Sequence, residues 1–138
     1  MFSLSMENLV NISIITDDKS GLAQIMTGYL SFYSNKKINI SIKGKTRVMH
    51  PLAEQVLRED GIDLFEAFPT IQKGIPNFLI YINKEPLEDA TRITKQRKYY
   101  FNEPVKKAGS EDIIDAYRAI REEIKKECIH LIGELHGV

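Results

Sequence analysis

The stretch "NFLIYI", Asn77–Ile82, constrains this chain more than any other. Its apolar run is nearly continuous, so a strand there has no polar face to turn to water. Such strands belong to parallel sheets buried on both faces. The rest of the sequence supplies partners for it. "LVNISII", Leu9–Ile15, is apolar and β-branched enough for a strand. "INISI", Ile38–Ile42, alternates cleanly and predicts another. "RKYYF", Arg97–Phe101, predicts a fourth.

Between these runs the periodicity turns helical. Leu22, Ala23, Ile25, Met26, Leu30 and Tyr33 recur on one helical face, with Ser20 placed to cap the helix and Asn35 to break it. His50-Pro51 opens a second helix with Pro51 in its first turn. Leu52, Ala53, Val56 and Leu57 form its buried stripe, and Gly61 stops it. "GIDLFEAFPTIQKGIP" reads as loop, and Pro86–Thr94 as a short helix. Ser110 with Glu111 and Asp112 starts a long final helix reaching about Glu134. Its stripe is Ile113, Ile114, Tyr117, Ile120, Ile124, Cys128, Leu131 and Ile132. Strands alternating with helices predict an α/β domain whose parallel sheet is covered on both faces.

The chain of 138 residues suits one domain with a single core, residues 1–7 forming a flexible extension. Lys plus Arg and Asp plus Glu both number 19, so bulk attraction to nucleic acid or an anionic membrane is not suggested. No apolar run approaches the length of a membrane span. The start, "MFSLSMENLV", lacks the pattern of a secretory signal, so a cytoplasmic location is expected. A single cysteine, Cys128, excludes an internal disulfide and a cysteine-rich metal site. It lies on the apolar stripe of the last helix and reads as a core filler.

The functional question sits in "SIITDDKSGLAQIM", Ser13–Met26. This is a strand, a tight loop and a helix start, the place where open α/β sheets bind ligands. A helix N-terminus favours an anion there by about 0.3–1 kcal/mol. Asp17 and Asp18 work against it. At about 5 Å each like-charge pair with a bound anion costs about 1–3 kcal/mol at an effective dielectric of roughly 20–80.

Three segments together resemble the low-molecular-weight protein tyrosine phosphatases and the related thioredoxin-coupled arsenate reductases. "SGLAQIMTGYL", Ser20–Leu30, is similar to the family's Ser-Pro-Met-Ala-Glu helix start after its phosphate loop. "HPLAEQVLREDGIDL", His50–Leu64, resembles its Asn-Pro-Leu-Ala helix and Gly-Ile-Asp turn. "FNEPVKKAGSEDIIDAYRAIREEIKK", Phe101–Lys126, resembles its Asp-Pro loop and last helix. The resemblance implies a three-layer α/β/α fold with a four-stranded parallel sheet of order 2-1-3-4. It implies a loop of pattern Cys-x5-Arg-Ser/Thr, in which a thiolate attacks phosphorus while backbone N–H groups and the arginine hold the phosphate oxygens.

This chain departs from that pattern. Counting back from Ser20 places Lys19 at the arginine and Ser13 at the cysteine. A second register ends the strand at Ile15, gives Thr16 the cysteine position and shortens the loop by three residues. The second is preferred, because Ile14 and Ile15 would crowd a phosphate cradle. Neither register supplies a cysteine or an arginine. A serine or threonine there needs a nearby base, and none is obvious. The family's general-acid aspartate aligns with Glu103, before Pro104. "IYINKEP" has none of the arsenate reductases' additional cysteines, so a disulfide relay is not available to it.

The acidic pair is also similar to that of response-regulator receivers, where it binds Mg²⁺. Those domains end the third strand in a phosphoacceptor Asp. Here that strand ends in Tyr81, Ile82 and Asn83, and the downstream Lys-Pro pattern is absent.

The expectation is therefore a catalytically inactive phosphatase-like binding or regulatory module with no cofactor, no metal and an unidentified protein partner. The relic of its phosphate loop comprises Ser13, Thr16, Asp17, Asp18, Lys19 and Ser20. One of the aspartates is expected to fold back onto the helix-start N–H groups and stand in for phosphate. The alternative is a hydrolase with altered, cation-assisted chemistry using Asp17, Asp18 and Glu103. Lys43, Lys45 and Arg47 form the basic patch nearest the expected cleft, and an acidic partner would suit it. His50 is expected to cap or pack beside its helix. Tyr99, Tyr100 and Phe101 are expected to form strand and core surface. No feature specifies an oligomeric state.

Overall fold

The structure, a computed structural model, describes residues 10–17, 19–34, 38–43, 49–64, 77–85, 95–104 and 113–136. Its strands are β1 (Val10–Thr16), β2 (Ile38–Lys43), β3 (Phe78–Ile82) and β4 (Lys95–Tyr99). Its helices are α1 (Leu22–Tyr33), α2 (Pro51–Glu59) and α3 (Ile114–His136). The strands form one sheet of order β2-β1-β3-β4, and every pairing is parallel. This is the expected order.

Ile12, Ile14, Ile38, Ile40, Phe78, Ile80 and Ile82 share one core with the buried sides of all three helices. By strand alternation, Ser13, Leu79 and Tyr81 face the other way, and they too are buried. The central strands β1 and β3 are thus largely withdrawn from water on both faces, while β2 exposes Asn39 and Lys43 and β4 is mostly exposed. β3 is buried at every position, which explains its unbroken apolar run.

Helix α1 is buried from Leu22 to Leu30, polar residues included. Thr27 satisfies its hydroxyl on the Ala23 carbonyl at 2.8 Å. Tyr33 was expected on the buried stripe but is 37% exposed, stacking on Tyr29 at the helix end. Helix α2 begins as predicted, with Pro51 in the first turn and His50 Nδ1 accepting the Leu52 N–H at 3.2 Å. It ends in a Schellman motif. The Gly61 N–H donates to Arg58 O at 2.9 Å and the Ile62 N–H to Leu57 O at 3.0 Å, with Gly61 at φ +77°.

Two expectations change. Ser20 is not the N-cap of α1. Gly21 takes that place at φ +85°, and its carbonyl accepts the Ile25 N–H at 3.0 Å. Strand β4 runs two residues earlier than "RKYYF" suggested, because Phe101 is drawn out of the ladder by Asn83. Tyr100 is consequently 57% exposed rather than part of the core surface. The expected extension at residues 1–7, the helix at Pro86–Thr94 and the Ser110 helix start lie outside the described residues. Among the described residues no helix is long and apolar enough to cross a membrane.

Candidate functional site

The candidate site lies beyond the carboxyl ends of β1 and β3, the two central strands. Their register pairs Thr16 with Ile82, so the chains leave the sheet side by side. Thr16 is buried, and its hydroxyl donates to the Ile82 carbonyl at 3.0 Å. A carbonyl is no general base, so this contact holds the hydroxyl without activating it. Ser13 lies three residues back in the strand, buried, with its Oγ 3.1 Å from Ser41 Oγ. The strand continues through Ile15 to Thr16, one residue beyond its expected end at Ile15.

The residues that follow each strand meet. Asp17 Oδ2 lies 2.6 Å from Lys84 Nζ, and the aspartate side chain is about half exposed. Asp17 therefore engages a lysine after β3. Asp18, the other candidate for folding back onto the helix start, lies outside the described residues. Lys19 is exposed. Lys43 ends β2 exposed, while Lys45 and Arg47 lie outside the described residues, so the expected basic patch has one described member.

Asn83, Lys84 and Glu85 fasten the two sides of this edge together. Asn83 has φ +52°, a left-handed conformation that asparagine tolerates better than most residues. Its backbone N–H donates to Tyr99 O at 2.9 Å. Its side chain then imitates a further strand residue. Oδ1 accepts the Phe101 N–H at 2.8 Å, and Nδ2 donates to Phe101 O at 3.0 Å. Glu85 accepts the Tyr100 hydroxyl and faces Lys98 Nζ at 3.6 Å. The chain is so carried from Phe101 to Glu103, which is exposed, and Pro104, which is buried.

On the other side, Ser20 and Gly21 sit against α2 and α3. The Tyr117 hydroxyl donates to Ser20 O at 2.9 Å and lies 3.3 Å from His50 Nε2. The His50 N–H donates to Gln24 Oε1 at 2.7 Å. Gly21 is packed so tightly that an added Cβ would lie 2.8 Å from His50 Cβ and 2.9 Å from Ala53 Cβ.

Cys128 is remote from this edge in sequence and sits in the core, its thiol 3.7 Å from Met26 O. Burial pushes that thiol far above the ordinary cysteine range, so it is held protonated. This matches its reading as a core filler. Among the described residues, no group of three His, Cys, Asp or Glu side chains is placed to hold a metal ion.

The structure brings Thr16, Asp17, Asn83 and Lys84 together and leaves Ser13 inside the sheet. Lys84 and Asn83 were not picked out from the sequence. The signal for them is the sheet order, because residues just past β1 and β3 become neighbours once those strands pair. Tyr117 and Gln24 read only as helix residues, since their polar contacts depend on tertiary packing.

No protein-family model matches the chain, and no curated protein matches it in sequence. Solved structures do match in fold. An arsenate reductase in the phosphate binding state superposes with TM-score 0.69 at 16% identity, covering 92% of this chain and 99% of that one. The thioredoxin-dependent arsenate reductase of Corynebacterium glutamicum gives 0.66 at 18% identity, over 96% of this chain and 67% of that one. A YwlE mutant from Bacillus subtilis gives 0.61 at 12% identity, over 91% and 98%. The fold is that of the low-molecular-weight phosphatases.

Proposed function

We propose that this chain is a catalytically inactive binding or regulatory module on a low-molecular-weight phosphatase-like fold. One observation carries the reading. Where the family's thiolate would stand, Thr16 donates its hydroxyl to the Ile82 carbonyl. Nucleophilic attack needs a thiolate or a hydroxyl passed to a base, and the contact with Ile82 is to a carbonyl, which is no base. Two neighbours support the same reading. Asp17 brings a carboxylate to the loop after β1 and pairs with Lys84 at 2.6 Å, which engages a cation that could otherwise hold an anion. The thiol of Cys128 is buried in the core.

Glu103 would keep the family's general-acid position but has no nucleophile to serve, so it acts as part of an exposed polar surface. In this reading the module works through the edge built by Asn83–Glu85 and its partners. A protein partner fits that edge better than a small anion does, because the charges there are already matched within the chain.

The test is a titration with inorganic phosphate followed by amide NMR of Thr16, Lys19, Gly21 and Leu22. The reading expects no saturable shifts at millimolar phosphate. Saturable shifts at these amides, lost in Lys19→Ala, would overturn it.

A further inference from the structure

Strand β4 ends one side of the sheet. It pairs with β3, and no described strand pairs with its other side. Hydrogen bonds fix which backbone groups face that open side. The Tyr99 carbonyl accepts the Asn83 N–H at 2.9 Å, so it points toward β3. Across a planar trans peptide the next N–H points the opposite way, so that of Tyr100 is outward. The Phe101 N–H donates to Asn83 Oδ1 at 2.8 Å, which turns the Tyr100 carbonyl outward by the same rule. Ladder alternation carries the pattern back to Lys98 and Gln96. The outward N–H and C=O groups of Gln96, Lys98 and Tyr100 meet no partner among the described residues. Asn83 thereby prolongs the open side one residue past the ladder. A row of this kind is a template for a further strand.

The side chains decide which strand fits. β4 carries Lys95, Arg97 and Lys98, all exposed, and no acid. Arg97 pairs with Glu134, and Lys98 lies 3.6 Å from Glu85. Both pairs are open to solvent and therefore weak. Lys95 has no ion partner among the described residues. Arg97 faces α3 through Glu134, and by alternation Lys95 shares that face while Lys98 takes the other. The open side is thus cationic above and below the sheet. A second copy fits it poorly, because two β4 strands side by side set these cations against one another. The opposite edge strand, β2, carries one charge, Lys43, so charge singles out β4.

We infer that β4 is a docking strand for an extended acidic segment of a partner protein. The outward backbone groups of Gln96, Lys98 and Tyr100 supply its hydrogen bonds, and Lys95, Arg97 and Lys98 face its carboxylates. The same cations keep unlike edges away, so they select as well as attract. This rests on the reading of the chain as a binding module and gives that module a partner class.

The test titrates the protein with a synthetic peptide alternating glutamate and threonine, followed by amide NMR and hydrogen exchange. Saturable shifts and slowed exchange are expected at Gln96, Lys98 and Tyr100, with the amides of β2 unchanged. The same peptide N-methylated throughout keeps every carboxylate but has no N–H to give, and should bind at least about fivefold more weakly. Lys95→Ala combined with Lys98→Ala, both at exposed positions, should weaken the unmodified peptide about fivefold. No saturable shift at β4, equal binding of the N-methylated peptide, or unchanged affinity in the double variant overturns the inference. Protection of these amides that grows with protein concentration alone overturns it in favour of a second copy. Tighter binding of a thymidine oligonucleotide at the same amides overturns it in favour of a nucleic acid. The reading of the chain as a binding module fails separately, through saturable phosphate shifts at Thr16, Lys19, Gly21 and Leu22 that leave β4 unmoved.

Discussion

Gly21→Ala probes the packing of the candidate site directly. Gly21 stands at φ +85°, where a residue with a Cβ pays a steric penalty of about 1–2 kcal/mol. The new methyl would also lie 2.8 Å from His50 Cβ and 2.9 Å from Ala53 Cβ. Neither atom can rotate away, because both are fixed to the backbone at the start of α2. The helix itself has to shift, and overpacking of this kind costs about 1–3 kcal/mol. Together the two effects predict a loss of about 2–5 kcal/mol, a large share of the roughly 5–15 kcal/mol typical of a domain. Gly28→Ala is the control. Its methyl would meet Leu57 Cδ2 at 2.7 Å and Cδ1 at 2.8 Å, the movable end of a side chain. Replacing an interior helical glycine also recovers about 0.5–1 kcal/mol. Urea unfolding measures both through the midpoint at unchanged slope. A loss below about 1 kcal/mol for Gly21→Ala, or one no larger than for Gly28→Ala, would refute the close approach of α1 to α2.

Tyr29→Phe removes a hydroxyl that donates to Asp60 Oδ2 at 2.5 Å and should cost about 1.5–2 kcal/mol, the lower part of the range for bonds to charged groups because Asp60 is partly exposed. The Tyr29 hydrogen bond, with Lys125 assisting against burial, holds the Asp60 carboxyl below its ordinary range. The native state therefore binds this proton less well than the unfolded chain. Its stabilisation is complete above the unfolded carboxylate pKa of about 3.9 and is lost as pH falls through the lower folded value. Thermal scans should show the gap between wild type and Tyr29→Phe narrowing in that acid window; a constant gap would count against the Asp60 contact. Lys84→Ala should cost less than about 1 kcal/mol, since the Asp17 pair is solvated, and high salt should shrink that loss further. Cys128 should resist a thiol reagent in the native protein and react fully in denaturant, as its burial requires; rapid native labelling would contradict its place in the core.

The sequence exposed the fold unevenly, and for identifiable reasons. β3 was legible because a strand covered on both faces has no polar side to confuse its pattern. The second helix was legible because His50, Pro51 and Gly61 act locally, through a cap, a first-turn proline and a left-handed glycine. β4 was misplaced by two residues. As an edge strand its alternation is weak, and its end is set by Asn83, whose side chain captures Phe101 from 18 positions away. Ser20 looked like a cap by residue type, but the close contact between Gly21 and α2 moved the cap one residue on. In the candidate site, the lack of a cysteine and an arginine could be read at once. The pairing of Asp17 with Lys84 could not, because the two residues lie 67 positions apart and meet only when β1 and β3 pair. Tyr117 shows the same limit: its ring fits a helical stripe, while the role of its hydroxyl is set by where Ser20 arrives.

The most direct measurement of the central claim is steady-state hydrolysis of an aryl phosphate, from mildly acidic to alkaline pH, by wild type and Thr16→Ala. Loss of catalysis predicts no turnover above buffer in either protein at any pH. Turnover in wild type that disappears in Thr16→Ala would contradict it, and would make the hydroxyl now held by Ile82 a working nucleophile.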